Sequence, residues 1–121
     1  MEIFVDANHA QTDSYQSDDA QYRVNFDNEV SVGGTTSTAD VVSRTRLVSG
    51  GYIVEASIRV DASETKVGAI LGFDVQVNDD GAGNGLRTSV ATWNDTSGNA
   101  YLDTSVFGTL RLGSAGMPET N

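Results

Sequence analysis

The chain has 121 residues, seventeen acidic and seven basic side chains and a net charge of −10, a balance that repels phosphate backbones and anionic bilayers and so argues against nucleic-acid and membrane-surface roles. There is no cysteine and His9 is the only histidine. Disulfides, thiol catalysis and cysteine-ligated zinc are thereby excluded, and a histidine-based metal site or triad is disfavoured.

Thirteen glycines, a single proline and abundant Thr, Val, Ser and Asp predict an all-β domain with frequent turns. No window sustains a 3.6-residue apolar period, so little helix is expected. No apolar run approaches membrane-spanning length and no signal-peptide pattern is visible, which is also how a secreted module cut from a longer protein would read.

In chain order, Glu2-Ile3-Phe4-Val5 is β-rich from the outset, with no leader residues, and predicts a chain truncated upstream. Asp6 to Asp19 follows as a polar loop. Its acidic density suggests calcium, with Asp6, Asp18 and Asp19 as candidate ligands. The EF-hand spacing is missing, however, and a solvated loop is the preferred reading. Gln21 to Phe26 is a strand with Tyr22, Val24 and Phe26 on one face and Arg23 and Asn25 on the other. Asp27 to Ala39 reads as a long loop with a Gly33-Gly34 turn.

Val41 to Val48 and Tyr52 to Val60 form a hairpin through Gly50-Gly51, with Tyr52, Val54, Ala56 and Ile58 inward. Asp61 to Ala69 connects onward, with a short helical turn around Ser63 to Val67. The clearest hairpin is Leu71 to Trp93. Leu71, Phe73, Val75 and Val77 alternate with Gly72, Asp74, Gln76 and Asn78; a loop from Asn78 to Gly85 follows, then a strand from Arg87 to Trp93. Phe107 to Leu112 is the last strand. Residues 1–112 read as one domain and 113–121 as a linker or frayed tail.

Seven short strands separated by turns predict an antiparallel β-sandwich of jelly-roll type. With the apolar sides turned inward, the opposite faces gather Arg23, Asn25, Glu55, Ser57, Asp74, Gln76, Arg87 and Ser89. Arginine, glutamine and asparagine in place of a Lys/Glu mixture supply forked donors and carboxamides suited to vicinal hydroxyls.

The blocks EIFVDANHAQT, DDAQYRVNF, GGYIVEASI, GFDVQVND, RTSVATWND and NAY-LDTSVFGTLRL, in that order from Glu2 to about Leu112, resemble a family 9 carbohydrate-binding module. The resemblance implies a β-sandwich, incomplete here relative to the full family domain, that binds the reducing ends of glucan (cellulose) or xylan chains in a slot, with structural calcium nearby. It further implies secretion and tethering to a glycoside hydrolase, usually a xylanase. The slot glutamate falls on Glu2, its arginines on Arg23 and Arg87, and its glutamine on Gln76. The family's second sandwiching tryptophan aligns with Tyr101. Its slot asparagine aligns with Gly98, so the neighbouring Asn99 is the expected substitute.

The first tryptophan and the family's N-terminal strands belong upstream of Glu2. Uncovered edges and core surface then predict a homodimer. Trp93 is assigned to structure, and Tyr15 to the surface of the acidic loop. Glu2 and Glu55 are the nominal carboxylate pair for an enzyme, but nothing in the sequence raises either pKa, and a non-catalytic module is preferred. A structural or adhesive sandwich that has lost its sugar site is the alternative.

Overall fold

The first strand of the chain is the middle strand of its main sheet. In the computed structural model, described for residues 1–34, 36–60, 65–79, 87 and 89–114, β1 (Glu2–Asp6) is flanked by β2 (Asp19–Val24) and β6 (Ile70–Asp79), both antiparallel. β3 (Val30–Gly34) extends the sheet beyond β2. At the other edge β6 is long enough to hold two short neighbours in tandem. β7 (Ser89–Thr92) pairs with its Gln76–Asp79 end and β8 (Gly108–Arg111) with its Ile70–Phe73 end. β4 (Val41–Val48) and β5 (Gly51–Ile58) form a separate two-stranded ribbon.

Strand alternation sorts the main sheet's residues between two faces. Ile3, Val5, Ala20, Tyr22 and Leu71 form one buried cluster, to which the ribbon adds Val41 and Ile58, paired with each other near one end. The ribbon's other end runs into the open, where Leu47 is 68% exposed. The second face carries a smaller core of Phe4, Ala100 and Phe107, with Tyr15 and Val106 packed on it. Phe4 is tilted against Phe107 at 5.6 Å, and Tyr15 meets the same ring edge-on at 6.3 Å. The segment between β7 and β8 therefore folds over the middle of this second face. It is pinned by a 3-10 turn at Thr104–Val106 and by Thr104, whose hydroxyl donates to the Thr12 carbonyl at 2.7 Å.

Several elements differ from the sequence reading. The segment assigned to a long loop contains β3: Val30 and Val32 sit among the first core's side chains while the alternate residues pair outward, so VSVGG is a strand despite its glycines. A 3-10 turn at Thr38–Asp40 leads into β4, closed by a capping box between Ser37 and Asp40. The strand read from Arg87 is ordered as β7 only from Ser89. Residues 80–86 and 88 of the loop between β6 and β7, residues 61–64 of the connection with the turn expected at Ser63 to Val67, and the tail from residue 115 lie outside the described residues.

Candidate functional site

Three of the expected site residues form one row. Glu2 is directly opposite Arg23 on one side and Gln76 on the other, and the row continues to Ser31 on β3 and Thr92 on β7. Strands in a sheet stand about 4.8 Å apart, so such a register sets a carboxylate, a guanidinium and a carboxamide side by side on a rigid base. Arg23 is held in a fork: its Nε donates to Ser31 Oγ (3.0 Å), its Nη2 to the Val32 carbonyl (3.1 Å) and its Nη1 to Gln21 Oε1 (2.9 Å). Gln21 Nε2 donates to Glu2 Oε1 at 3.1 Å. On the other flank Asn78 Oδ1 accepts from Gln76 Nε2 at 2.9 Å and from Arg87 Nη1 at 3.3 Å. Arg87 thus reaches the row from beyond the end of β7.

At its strand-end side the row opens into a depression of about 920 Å³ whose lining includes Glu2, Arg23, Asn78, Phe26 and Tyr52. Phe26 and Tyr52 meet there edge to face at 6.5 Å.

Asn99 and Tyr101 come from the segment that covers Phe4. Ala100, between them, is buried against Phe4 and Phe107, and its carbonyl accepts the Tyr15 hydroxyl at 2.7 Å. Tyr101 itself is 55% exposed. Two buried aspartates hold this segment. Asp74 accepts the amides of Val75 (2.9 Å), Asn94 (3.0 Å) and Asp95 (2.8 Å). Asp95 accepts the amide and hydroxyl of Ser97 (2.8 and 2.6 Å) and the Ala100 amide (3.2 Å). Burial pushes the Asp95 carboxyl up, but the bonds from Ser97, Ala100 and Gly98 prevail and hold it below its ordinary value.

The structure corrects the expected polar face in four places. Glu55 and Ser57 lie on the ribbon, not on the sheet that carries Glu2, so Glu2 and Glu55 are not a pair on one sheet. Asp74 is buried and spent on backbone amides. Ser89 pairs with Asp79 and belongs to the face opposite Gln76 and Asn78, because the ladder places Thr92 and Val90 beside those two. Asn25 closes the β2–β3 turn by accepting the amides of Asp27 and Glu29.

The sequence does not mark Gln21 and Asn78 as site residues. Their role depends on cross-strand neighbours, and the one signal of it in the sequence is that both alternate in phase with Arg23 or Gln76. Trp93 projects from the opposite face, edge-on to Phe73 at 5.9 Å and over Gly108, where an added Cβ would sit 2.6 Å from its ring. Tyr15 packs on the second core instead of standing free at the surface.

The acidic segment is solvated along its middle, where Asn8 and Asp13 are exposed, but not at its two ends. Asp6 and Asp19 are paired at the end of the β1–β2 ladder and are 0% and 2% exposed. Together with Asp18 they offer carboxylate oxygens all within 4.8 Å of one another. Backbone amides hold one oxygen of each: Gln11 on Asp6 (3.0 Å), Asn8 on Asp18 (3.0 Å) and Gln16 on Asp19 (2.6 Å). His9 and Gln11 adopt left-handed backbone (φ 54° and 57°) in the turn that carries the Gln11 amide to Asp6. Asp6 Oδ1 and Asp19 Oδ1 remain buried without a hydrogen-bond partner among the described residues. Burial first, then the neighbouring Asp6 and Asp18, push the Asp19 carboxyl up to about 7 against the pull of the Gln16 amide. Orphaned, closely spaced buried carboxylate oxygens fit the donor set of a hard divalent cation.

A β-sandwich displaying a row of charged and amide groups on a rigid sheet, with an aromatic side chain on the segment beside it, is the build of a non-catalytic carbohydrate-binding module, and the comparisons with known proteins agree. Residues 1–115 match the family described as carbohydrate family 9 binding domain-like, and the chain belongs to that family. A family 9 module from Caldicellulosiruptor kristjanssonii in complex with cellotriose superposes with a TM-score of 0.86 at 34% identity, over 99% of this chain and 62% of that one. The same organism's module in complex with glucose superposes with a TM-score of 0.85 at 35% identity, over 98% of this chain and 61% of that one. Among longer relatives, endo-1,4-beta-xylanase C of Paenibacillus barcinonensis is 57% identical over 93% of this chain, and exoglucanase XynX of Acetivibrio thermocellus 51% over the same share. The chain spans 10% of the length of each.

Proposed function

We propose that this module binds the reducing ends of cellulose, β-glucan and xylan chains, and that it anchors an appended, secreted glycoside hydrolase to plant cell-wall polysaccharide. The observation that carries the reading is the register that aligns Arg23, Glu2 and Gln76 on adjacent strands. A terminal sugar ring presents vicinal hydroxyls, which donate to a carboxylate and accept from a guanidinium or carboxamide. Tyr101 supplies an aromatic face for the sugar's C–H surface. Support for the ligand class comes from the cellotriose and glucose complexes of the superposed modules, and for the attachment from the xylanase and exoglucanase names of the longer relatives.

Affinity electrophoresis in glucan and xylan gels tests the reading. The chain should be retarded, and Glu2→Ala, Arg23→Ala or Gln76→Ala should each abolish the retardation. A chain that migrates freely in every gel is a structural or adhesive sandwich instead.

Calcium is the cofactor this reading includes, held by Asp6, Asp18 and Asp19. The ion would neutralise their charge and brace the ends of β1 and β2. The module is further read as a homodimer. Leu47, Ile53, Val67 and Trp93 are exposed apolar side chains of the kind that a second copy covers. A stable monomer at micromolar concentration in light scattering contradicts that assignment.

A further inference from the structure

We propose that Gln21 is a positioning residue of the saccharide slot, coupling Glu2 to Arg23, and that Gly33 is kept free of a side chain so that it can do so. The proposal rests on the reading of the Glu2 row as the binding site. Gln21 is buried although polar, 6% exposed, and both ends of its carboxamide are engaged. Its amide nitrogen donates to Glu2 Oε1 (3.1 Å) and its amide oxygen accepts from Arg23 Nη1 (2.9 Å). Among uncharged side chains, a carboxamide can present a donor to a carboxylate and an acceptor to a guanidinium simultaneously; a hydrocarbon does neither and a carboxylate only the second.

The bridge has a geometric consequence for both partners. It occupies Oε1 of Glu2 and one Nη1 proton of Arg23. The Val32 carbonyl takes one proton of Nη2, and Ser31 takes the Nε proton. Each terminal nitrogen of the guanidinium keeps one N–H beyond these bonds, in an orientation that the three fixed contacts dictate. Glu2 and Arg23 are therefore set before a ligand arrives, which limits the ordering cost of binding.

Gly33 is opposite Gln21 in the β2–β3 ladder. A Cβ built there would lie 3.1 Å from Gln21 Oε1 and 3.2 Å from Arg23 Nη1, inside ordinary contact with both ends of their hydrogen bond. Its φ is not in the left-handed region, so backbone conformation does not demand glycine. The space beside the bridge does.

The test titrates the 121-residue chain with glucose and cellotriose by calorimetry or NMR. Gln21→Leu should weaken binding about tenfold, and Gly33→Ala severalfold, although neither removes a group that touches the sugar. Gln21→Glu supplies a readout that a general loss of packing would not give. Its carboxylate matches the carboxamide in size and keeps the acceptor toward Arg23 Nη1 but repels Glu2 in place of donating to it, so binding should weaken severalfold although the side-chain volume is unchanged. Circular dichroism and thermal melts identify any variant that fails to fold; if Gln21→Leu does, Gly33→Ala and Gln21→Glu decide. Wild-type affinity in both Gly33→Ala and Gln21→Glu, while Glu2→Ala abolishes binding, overturns the positioning role alone. Equal titrations of wild type and Glu2→Ala overturn the site reading, and this proposal with it.

Discussion

Gly72 is opposite Asp6 in the β1–β6 ladder, and a Cβ built on it would lie 2.7 Å from the Cβ of Asp6. Real side chains do not approach so closely, so a methyl group at position 72 must push Asp6 out of its buried seat. Gly72→Ala is expected to destabilise the fold by about 1–3 kcal/mol, the usual range for overpacking a tight site. Urea denaturation measures the loss. Because the displaced residue belongs to the acidic cluster, the same variant should also lose most of any stabilisation by calcium.

Calcium should raise the melting temperature, and a chelator should lower it, with the difference larger at pH 8 than at pH 5. The sign follows from Asp19. Its carboxyl titrates at about 7 in the fold against an ordinary 3.8, so between those values the folded chain binds more protons than the unfolded one. Without a cation, stability therefore falls as pH rises through that window. A bound divalent ion takes the place of the proton, and its contribution grows as the proton leaves. Scanning calorimetry at the two pH values, with and without calcium, checks both halves.

Asp74→Ala should be among the most damaging substitutions in the chain. The side chain holds the amides of Asn94 and Asp95 as well as that of Val75, and removing it strands buried donors at about 1–3 kcal/mol each. The expected outcome is a loss of at least 3 kcal/mol or failure to fold. A retained fold would show an altered Tyr101 environment in near-UV circular dichroism, since Asp95 links this anchor to the Ala100 turn.

Tyr101 and Trp93 should behave oppositely. Tyr101→Ala should weaken saccharide binding about tenfold with little change in stability, and Tyr101→Trp should strengthen it through a larger π face. Trp93→Ala should reduce stability through its lost contacts with Phe73 and Gly108, and leave affinity unchanged. Isothermal titration alongside thermal melts separates the two effects.

The division between what alternation revealed and what it hid has a physical basis. Period-two patterning placed Arg23 and Gln76 on a polar face because both lie inside regular strands. The same rule misplaced Ser89, since Arg87 stands outside β7 and the phase had to be read from the ladder. Glu2 has too little strand before it for alternation to declare its face, and only the family resemblance marks it. The burial of Asp74 is invisible because the Asn94 and Asp95 amides that it holds are distant in sequence, and that of Asp6 and Asp19 because acidic density reads alike whether turn amides or water hold the carboxylates. β3 was hidden by its terminal glycines, one of which makes room for the Gln21–Arg23 bond.

The central claim, that the Glu2–Arg23–Gln76 row grips a chain end, is tested most directly by comparing binding to intact cellulose with binding to the same cellulose after borohydride reduction of its reducing ends. Reduction opens the terminal ring and removes the cyclic hydroxyl geometry that the row would recognise. Loss of binding to the reduced material is the predicted result; undiminished binding would contradict the end-specific slot.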